Sequence, residues 1–142
     1  MSRALELARE GSGKVSPNPM VGCVVVRAGE VIAKGYHARA GAPHAEAMAL
    51  KRAGKAARGS DLYVTLEPCN HFGRTPPCTD AIIEAGVKRV FVGMRDPHDI
   101  VDGRGIRRLR RAGIEVAIGL LRDACAQLNE AYKHFVKTKQ PF

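Results

Sequence analysis

Residues 62–69 read LYVTLEPC and give the clearest indication of the fold class. The first five of these residues are apolar or β-branched and run into a proline-containing loop, so they predict a buried strand over 62–66. A strong helical pattern over 45–57 precedes the strand, and Gly59 ends it. A helix followed by a fully buried strand is typical of an α/β protein with a covered sheet.

Strand and helix patterns continue outward from this stretch in both directions. The predicted strands cover 21–27, 31–36, 62–66, 89–94 and 114–118, and the predicted helices cover 2–10, 45–57, 79–85, 105–112 and 121–137. The first two strands meet at 28–30, a hairpin signal, and are expected to pair antiparallel. The later alternation predicts a three-layer α/β/α sandwich around a five-stranded mixed, mostly parallel sheet, in one domain spanning 1–142.

The composition is that of an ordinary globular domain: 142 residues, 45% of them hydrophobic. No apolar run approaches the ~20 residues that span a bilayer, and the charged N-terminus has no signal-peptide core, so a cytoplasmic location is expected. The net charge of +9 favours an anionic partner, either nucleic acid or a phosphorylated small molecule. Five arginines fall within 104–111, for which a solvated helix face is the favoured interpretation.

Four cysteines in a chain with no export signal indicate burial or metal binding rather than disulfides. Cys23 lies in the apolar run 21–26 and Cys125 on a helical pattern, so both are expected to be small core residues. Cys69 and Cys78 flank a loop rich in proline and histidine, which makes them candidate metal ligands.

Three short motifs together predict a zinc site with hydrolytic chemistry. His44, Cys69 and Cys78 supply one imidazole and two thiolates, which fill three of the four positions of one zinc ion and leave the fourth for a water. Glu46 lies two residues beyond His44 and is expected to carry protons without binding the metal. This His-x-Glu…Pro-Cys…Cys order is the signature of zinc-dependent deaminases.

The loop between the two cysteines is unusually long, with eight residues, NHFGRTPP. The signature of base deaminases has only two residues there. The longer loop has room for Arg74 to hold a phosphate as a bidentate fork. His71 could instead be a fourth zinc ligand and close the site, but Glu46 would then have no role.

Seven motifs spread over nearly the whole chain now show a resemblance. They are PNPMVG (17–22), GYH (35–37), HAE (44–46), YVTLEPC (63–69), GRTPPC (73–78), DP (96–97) and GRG (103–105). In these motifs the chain resembles the deaminase domain of the bifunctional RibD proteins of riboflavin biosynthesis. The resemblance implies a cytidine-deaminase-like fold. It also implies hydrolysis of 2,5-diamino-6-ribosylamino-4(3H)-pyrimidinone 5′-phosphate, whose 2-amino group is replaced by oxygen and leaves as ammonia.

The resemblance also assigns residues by position. His44, Cys69 and Cys78 would bind zinc and Glu46 would be catalytic; the substrate pocket would be lined by Asn18, His37, His71 and Arg74. The family continues into an NADPH-dependent reductase domain, and nothing in 1–142 resembles a nicotinamide site. This domain is therefore expected as a partner in a longer parent protein, with a stand-alone deaminase as the alternative. The fold often forms homo-oligomers. The chain departs from the family at His98-Asp99, where Asn-Pro is usual.

Two other functions stay open from the residues alone. A deaminase of tRNA adenosine or of nucleosides is favoured by the net charge and disfavoured by the cysteine spacing and by Arg74. A non-catalytic, zinc-stabilised binding module would keep the ligands but would leave Glu46 unused. A related variant of that idea is a pseudoenzyme that lost substrate binding at 98–99.

Overall fold

The computed structural model describes residues 1–10, 19–38, 42–70, 77–96, 103–128 and 130. Within these ranges the strands are β1 Gly22–Arg27, β2 Glu30–Tyr36, β3 Asp61–Val64, β4 Arg89–Val92 and β5 Glu115–Ile118. The helices are α1 Ser2–Arg9, α2 Ala45–Ala53, α3 Cys78–Ala85, α4 Arg104–Arg111 and α5 Arg122–Leu128, and a 3-10 turn, Gly54–Ala57, follows α2. None of these helices is long and apolar enough to cross a membrane.

The five strands form one mixed sheet in the order β2-β1-β3-β4-β5. Strand β1 pairs antiparallel with both β2 and β3, whereas β3–β4 and β4–β5 are parallel pairs. Four of the five strands therefore point the same way and β1 alone runs against them. The sequence predicted five strands in a mixed sheet with an antiparallel hairpin, and the structure confirms this; the second antiparallel pair, β1–β3, was not predicted.

The hairpin between β1 and β2 turns through two residues. Ala28 and Gly29 have φ angles of 52° and 78°, and Arg27 pairs with Glu30 across the turn. Positive φ at both central residues is the pattern of a type I′ turn, whose twist matches that of the flanking strands. Alanine is an unusual residue in the first of these positions, because its Cβ crowds the backbone in the left-handed region.

Helices cover both faces of the sheet, which gives the three-layer sandwich. On one face α2 packs on β1 and β2 and against α3, which contacts α4; on the other, α1 packs on β1 and contacts α5. Helix α2 lies very close to β2, since a Cβ on Gly35 would sit 2.3 Å from the carbonyl oxygen of Ala45. This approach fixes the start of α2, where a candidate ligand lies.

The larger core lies between the sheet and the α2–α3–α4 layer. Its buried members are Cys23, Val25, Ala33, Ala45, Ala49, Leu50, Ala57, Leu62, Val64, Ile82, Val87, Val90, Val92, Leu109 and Ile114. The predicted core roles of Cys23 and Cys125 are confirmed, with 0% and 1% of their surfaces exposed.

Three predicted helices match the observed ones to within one residue at each end, and two differ by more within or at the edge of the described residues. The helix predicted over 45–57 ends at Ala53, because Gly54 takes a φ of 56° and the chain continues as a 3-10 turn. The helix predicted over 121–137 begins at Arg122, since Leu121 has a φ of 55°, which is not helical. Its predicted C-terminal part, 131–137, lies outside the described residues.

Candidate metal centre and active site

Two helix N-termini and the loop after β3 bring the three candidate ligands together. His44 is the N-cap of α2, with extended backbone angles, and Cys78 is the first residue of α3. Cys69 follows Pro68, which is fully buried. The carbonyl oxygen of Cys69 accepts a hydrogen bond from the backbone N–H of Thr79 over 3.2 Å. His44 and Cys78 thus lie at loop–helix junctions, whereas Cys69 lies in the loop that follows β3.

The ligand atoms are spaced as a tetrahedral metal site requires. His44 Nδ1 lies 3.2 Å from the Cys78 Sγ and 3.8 Å from the Cys69 Sγ, and all three atoms lie within 4.8 Å of one another. Zinc bonds of the usual length at a tetrahedral angle would place nitrogen and sulfur ligands about 3.6 Å apart. The donor set of one imidazole and two thiols therefore fits zinc in both chemistry and spacing.

The pKa values of the two thiols shift in opposite directions. A hydrogen bond from the Cys78 side chain, helped by others from His44 and the Cys78 backbone, holds the pKa of Cys69 well below its usual range. The hydrogen bond with Cys69, together with burial, raises the pKa of Cys78. A hydrogen bond with Cys69 raises the pKa of His44 against the effect of burial. The group is thus prepared to place negative charge on sulfur, which is what a dication needs.

Glu46 is a buried acid beside this group. It lies in the first turn of α2, and only 4% of its surface is exposed. Burial is the main cause that raises its pKa to about 7; the Cys69 thiolate raises it further, whereas His44 and a hydrogen bond with Cys78 oppose the shift. A carboxyl group poised near neutral pH can both accept and return a proton.

His37 is the one predicted substrate-binding residue that lies within the described part of the chain. It follows β2, is 4% exposed, and its ring lies 5.5 Å from that of His44 in an edge-to-face arrangement. Its Nδ1 is 3.3 Å from the carbonyl oxygen of Pro43, and burial lowers its pKa. An imidazole with a lowered pKa therefore adjoins the candidate metal ligand, and the role of His37 in a substrate pocket stays a prediction.

The other predicted pocket residues cannot be placed. Asn18, His71 and Arg74 lie outside the described residues, as do His98 and Asp99. The alternative in which His71 closes the metal site stays a prediction for the same reason.

Glu67 is a buried acid that sequence reasoning overlooked. It is 3% exposed, and its carboxylate accepts four backbone N–H groups. Oε1 accepts from Asp96 over 3.1 Å and from Gly103 over 2.9 Å; Oε2 accepts from Gly105 over 3.1 Å and from Ile106 over 3.3 Å. Glu67 thereby links the start of α4 by hydrogen bonds to the loop that carries Cys69. The sequence signal was a charged residue at the end of a buried strand, two positions before a candidate ligand.

The family is decided by comparison with known proteins. The sequence profile of the cytidine and deoxycytidylate deaminase zinc-binding region matches residues 1–94. The chain belongs to this family of zinc-binding deaminases. The predicted deaminase family is therefore confirmed, and its zinc-binding region contains the His44, Cys69 and Cys78 cluster found in the structure.

Relatives within this deaminase family are riboflavin biosynthesis proteins. The chain is 54% identical to RibD of Synechocystis over its whole length and covers 39% of that protein. It is 55% identical to the chloroplastic PYRD protein of Zea mays, of which it covers 36%. The chain thus spans about two fifths of the length of these relatives.

A solved structure supports the same grouping and the fold. The diaminohydroxyphosphoribosylaminopyrimidine deaminase/5-amino-6-(5-phosphoribosylamino)uracil reductase of Thermotoga maritima is 49% identical. It matches 100% of this chain with a TM-score of 0.94, and the chain covers 41% of it. The resemblance to RibD proteins predicted from the sequence motifs is confirmed.

Proposed function

We propose that this chain is a zinc-dependent deaminase of the riboflavin pathway. Its substrate would be 2,5-diamino-6-ribosylamino-4(3H)-pyrimidinone 5′-phosphate, and its products 5-amino-6-ribosylaminouracil 5′-phosphate and ammonia. One observation carries the proposal: the buried carboxyl of Glu46 adjoins a cluster of His44, Cys69 and Cys78 whose ligand atoms lie within 4.8 Å of one another.

His44, Cys69 and Cys78 would hold the zinc as its three protein ligands. Bound zinc would supply a Lewis acid that lowers the pKa of a water in the fourth position toward neutrality. The two thiolates would neutralise most of the dication's charge, and His44 would contribute a neutral imidazole. The N-terminus of α3 favours the ionised form of Cys69, since a helix start carries partial positive charge and the backbone N–H of Cys78 donates to the Cys69 Sγ.

Glu46 would move the protons of the reaction. It would take a proton from the attacking water and return protons to a ring nitrogen and to the departing amino group, so that the C2–N bond breaks and ammonia leaves. Its raised pKa, to about 7, suits a group that must alternate between base and acid near neutral pH. Its burial excludes bulk water from the proton path.

The substrate assignment rests on the relatives and on chemistry of the pocket residues. The Thermotoga maritima protein is named as a deaminase of a phosphoribosylaminopyrimidine. In this chain Arg74 would bind the substrate phosphate, and Asn18, His37 and His71 would bind the pyrimidine and ribose. Of these, His37 lies within the described part of the structure, next to His44.

The partner domain is also a proposal. The relatives are more than twice as long as this chain. The Thermotoga maritima protein is named as a reductase as well as a deaminase, and the part of it that this chain does not cover is long enough for a second domain. We propose that the deaminase domain covers 1–142 and acts beside an NADPH-dependent reductase domain.

The decisive test of the substrate is ammonia release measured on three compounds side by side. The diaminopyrimidine ribosyl phosphate should be deaminated rapidly, while cytidine and a tRNA anticodon stem-loop should be turned over at least a hundredfold more slowly. Rapid release from the stem-loop or from cytidine instead would keep the deaminase chemistry and overturn this substrate. No release from any of the three by zinc-loaded protein would favour the non-catalytic binding module.

A further inference from the structure

The side chain of Arg108 joins the residues that directly follow the two cysteines. Its Nη1 lies 3.1 Å from the Asn70 Oδ1 and 3.1 Å from the Thr79 Oγ1, and donates to both. The same group forms an ion pair with the carboxylate of Asp80. Asn70 follows Cys69 in the chain and Thr79 follows Cys78, so one guanidinium contacts both ligand-bearing segments.

We propose that Arg108 is a positioning residue that sets the separation of the Cys69 and Cys78 ligands. The proposal rests on the zinc centre proposed above and extends it to a residue that no comparison assigns. Arg108 contacts neither thiol in the described contacts, so it would act through Asn70, Thr79 and Asp80. Its effect would be on how tightly and in what geometry the metal is held.

The contacts among its partners form a closed network. The Thr79 hydroxyl donates to the Asn70 Oδ1 over 2.8 Å and accepts from Arg108, which uses its single proton and one lone pair. The backbone N–H of Thr79 also donates to the Cys69 carbonyl oxygen. Thr79 is fully buried. Loss of Arg108 would therefore leave buried polar atoms with fewer partners, and the two segments would be joined by fewer hydrogen bonds.

Helix α4 gives Arg108 a fixed base. Glu67, two residues before Cys69, holds the backbone N–H groups of Gly105 and Ile106 at the start of the same helix. A Cβ on Gly105 would lie 2.1 Å from the Pro68 carbonyl oxygen, so the helix and the ligand loop touch directly. Helix α4 therefore contacts the chain on both sides of Cys69. It binds Glu67 before Cys69 and Asn70 after it.

A hydrogen-bonded outer layer of this kind has a measurable value. Residues that orient metal ligands typically contribute 10- to 100-fold to metal affinity or activity.

The sequence predicted that the arginines of 104–111 form a solvated face, and Arg104, Arg107, Arg110 and Arg111 are indeed exposed. Arg108 departs from that expectation, because its side chain is 40% exposed and bonded to the ligand segments.

The test compares Arg108→Met with Arg111→Met, a control that removes the same charge from an exposed position of the same helix. Each zinc-loaded variant is mixed with a chromophoric chelator and the rate of zinc transfer is followed; the cobalt(II) form of each is examined by absorption spectroscopy. We expect at least about tenfold faster zinc transfer for Arg108→Met and a shifted thiolate-to-cobalt band, with Arg111→Met unchanged. Arg108→Lys should be intermediate, since an ammonium on a flexible stem can keep the ion pair with Asp80 but not hold both hydrogen bonds in place.

Thr79→Val serves as a second variant because it removes the shared hydroxyl of α3 and leaves the sequence of α4 unchanged. It should accelerate zinc transfer in the same direction as Arg108→Met. Equal transfer rates and identical cobalt spectra for Arg108→Met and Arg111→Met would overturn the positioning role while leaving the zinc centre intact. A wild-type chain that takes up neither zinc nor cobalt would overturn the centre itself, and the positioning role with it.

Discussion

The backbone N–H of Cys78 donates to the Sγ of Cys69 over 3.2 Å. One candidate ligand is therefore held by the first residue of the helix that supplies another, and the N-terminal end of α3 faces a sulfur atom. Backbone N–H groups at a helix start are the natural partners of a negative charge. The arrangement stabilises the thiolate of Cys69 and fixes its distance from Cys78 at the same time.

Cys69→Ser should abolish stable zinc binding. A serine hydroxyl is not deprotonated near neutral pH and is a poor replacement for a thiolate ligand. We expect zinc content to fall from about one per chain to a small fraction of that, measured by atomic emission, and ammonia release to fall with it. Cys125→Ala is the control, because Cys125 is buried in α5 away from the cluster and should keep full zinc content. Full zinc retention in Cys69→Ser would contradict the ligand assignment.

Glu67→Gln should destabilise the fold. The amide keeps one acceptor oxygen, but its NH₂ group would face backbone N–H donors that the carboxylate now satisfies. Buried donors left without partners cost about 1–3 kcal/mol each, so the free energy of unfolding should fall by about 2 kcal/mol or more in urea denaturation. Glu6→Gln, at an exposed position on α1, should change it by less than about 0.5 kcal/mol. An unchanged free energy of unfolding in Glu67→Gln would show that these hydrogen bonds contribute little to stability.

Gly105→Ala should also lower stability, although alanine is the better helix former. The new Cβ would lie 2.1 Å from the carbonyl oxygen of Pro68, so α4 or the Cys69 loop must shift. Overpacking of this kind typically costs about 1–3 kcal/mol, which exceeds the gain of about 1 kcal/mol in helix propensity. Thermal unfolding of Gly105→Ala beside Arg104→Ala, an exposed neighbour, measures the difference. A Gly105→Ala chain more stable than wild type would mean that the helix and loop separate at no cost.

Ala28→Asn should stabilise the hairpin. Ala28 has a φ of 52° at the first central position of a type I′ turn, where asparagine followed by glycine is the preferred pair. Asparagine tolerates this conformation better than alanine, so the free energy of unfolding should rise by about 0.5–1 kcal/mol. Ala28→Val should lower it, because a β-branched residue is disfavoured there. A lower free energy of unfolding in Ala28→Asn than in the wild type would indicate that the turn differs from type I′ in solution.

Much of the fold could be predicted because hydrophobic patterns and turn residues act locally. The run 62–66 predicted β3 to within two residues, and the spacing of His44, Cys69 and Cys78 predicted a cluster that the structure assembles. The helix end at Gly54 was missed, since apolar residues continue the helical pattern to Ala57 while the backbone does not.

The contacts that brace the site could not be predicted from pattern. Glu67 meets Gly103, 36 positions away, and Arg108 meets Asn70, 38 positions away, so each pairing depends on how α4 packs against the loop after β3. A local pattern treats an arginine-rich helix as a solvated face and cannot single out the one guanidinium that turns inward. The antiparallel β1–β3 pair is missed for the same reason, because strand order is a tertiary property.

Glu46→Gln is the variant that separates metal binding from proton transfer in the proposed deamination. Ammonia release from the diaminopyrimidine ribosyl phosphate is measured at equal zinc content for wild type, Glu46→Gln and the exposed control Glu84→Gln. We predict full zinc content in all three, turnover about 10²- to 10⁴-fold lower in Glu46→Gln, and wild-type turnover in Glu84→Gln. Undiminished turnover in zinc-loaded Glu46→Gln would contradict the assignment of Glu46 as the proton carrier.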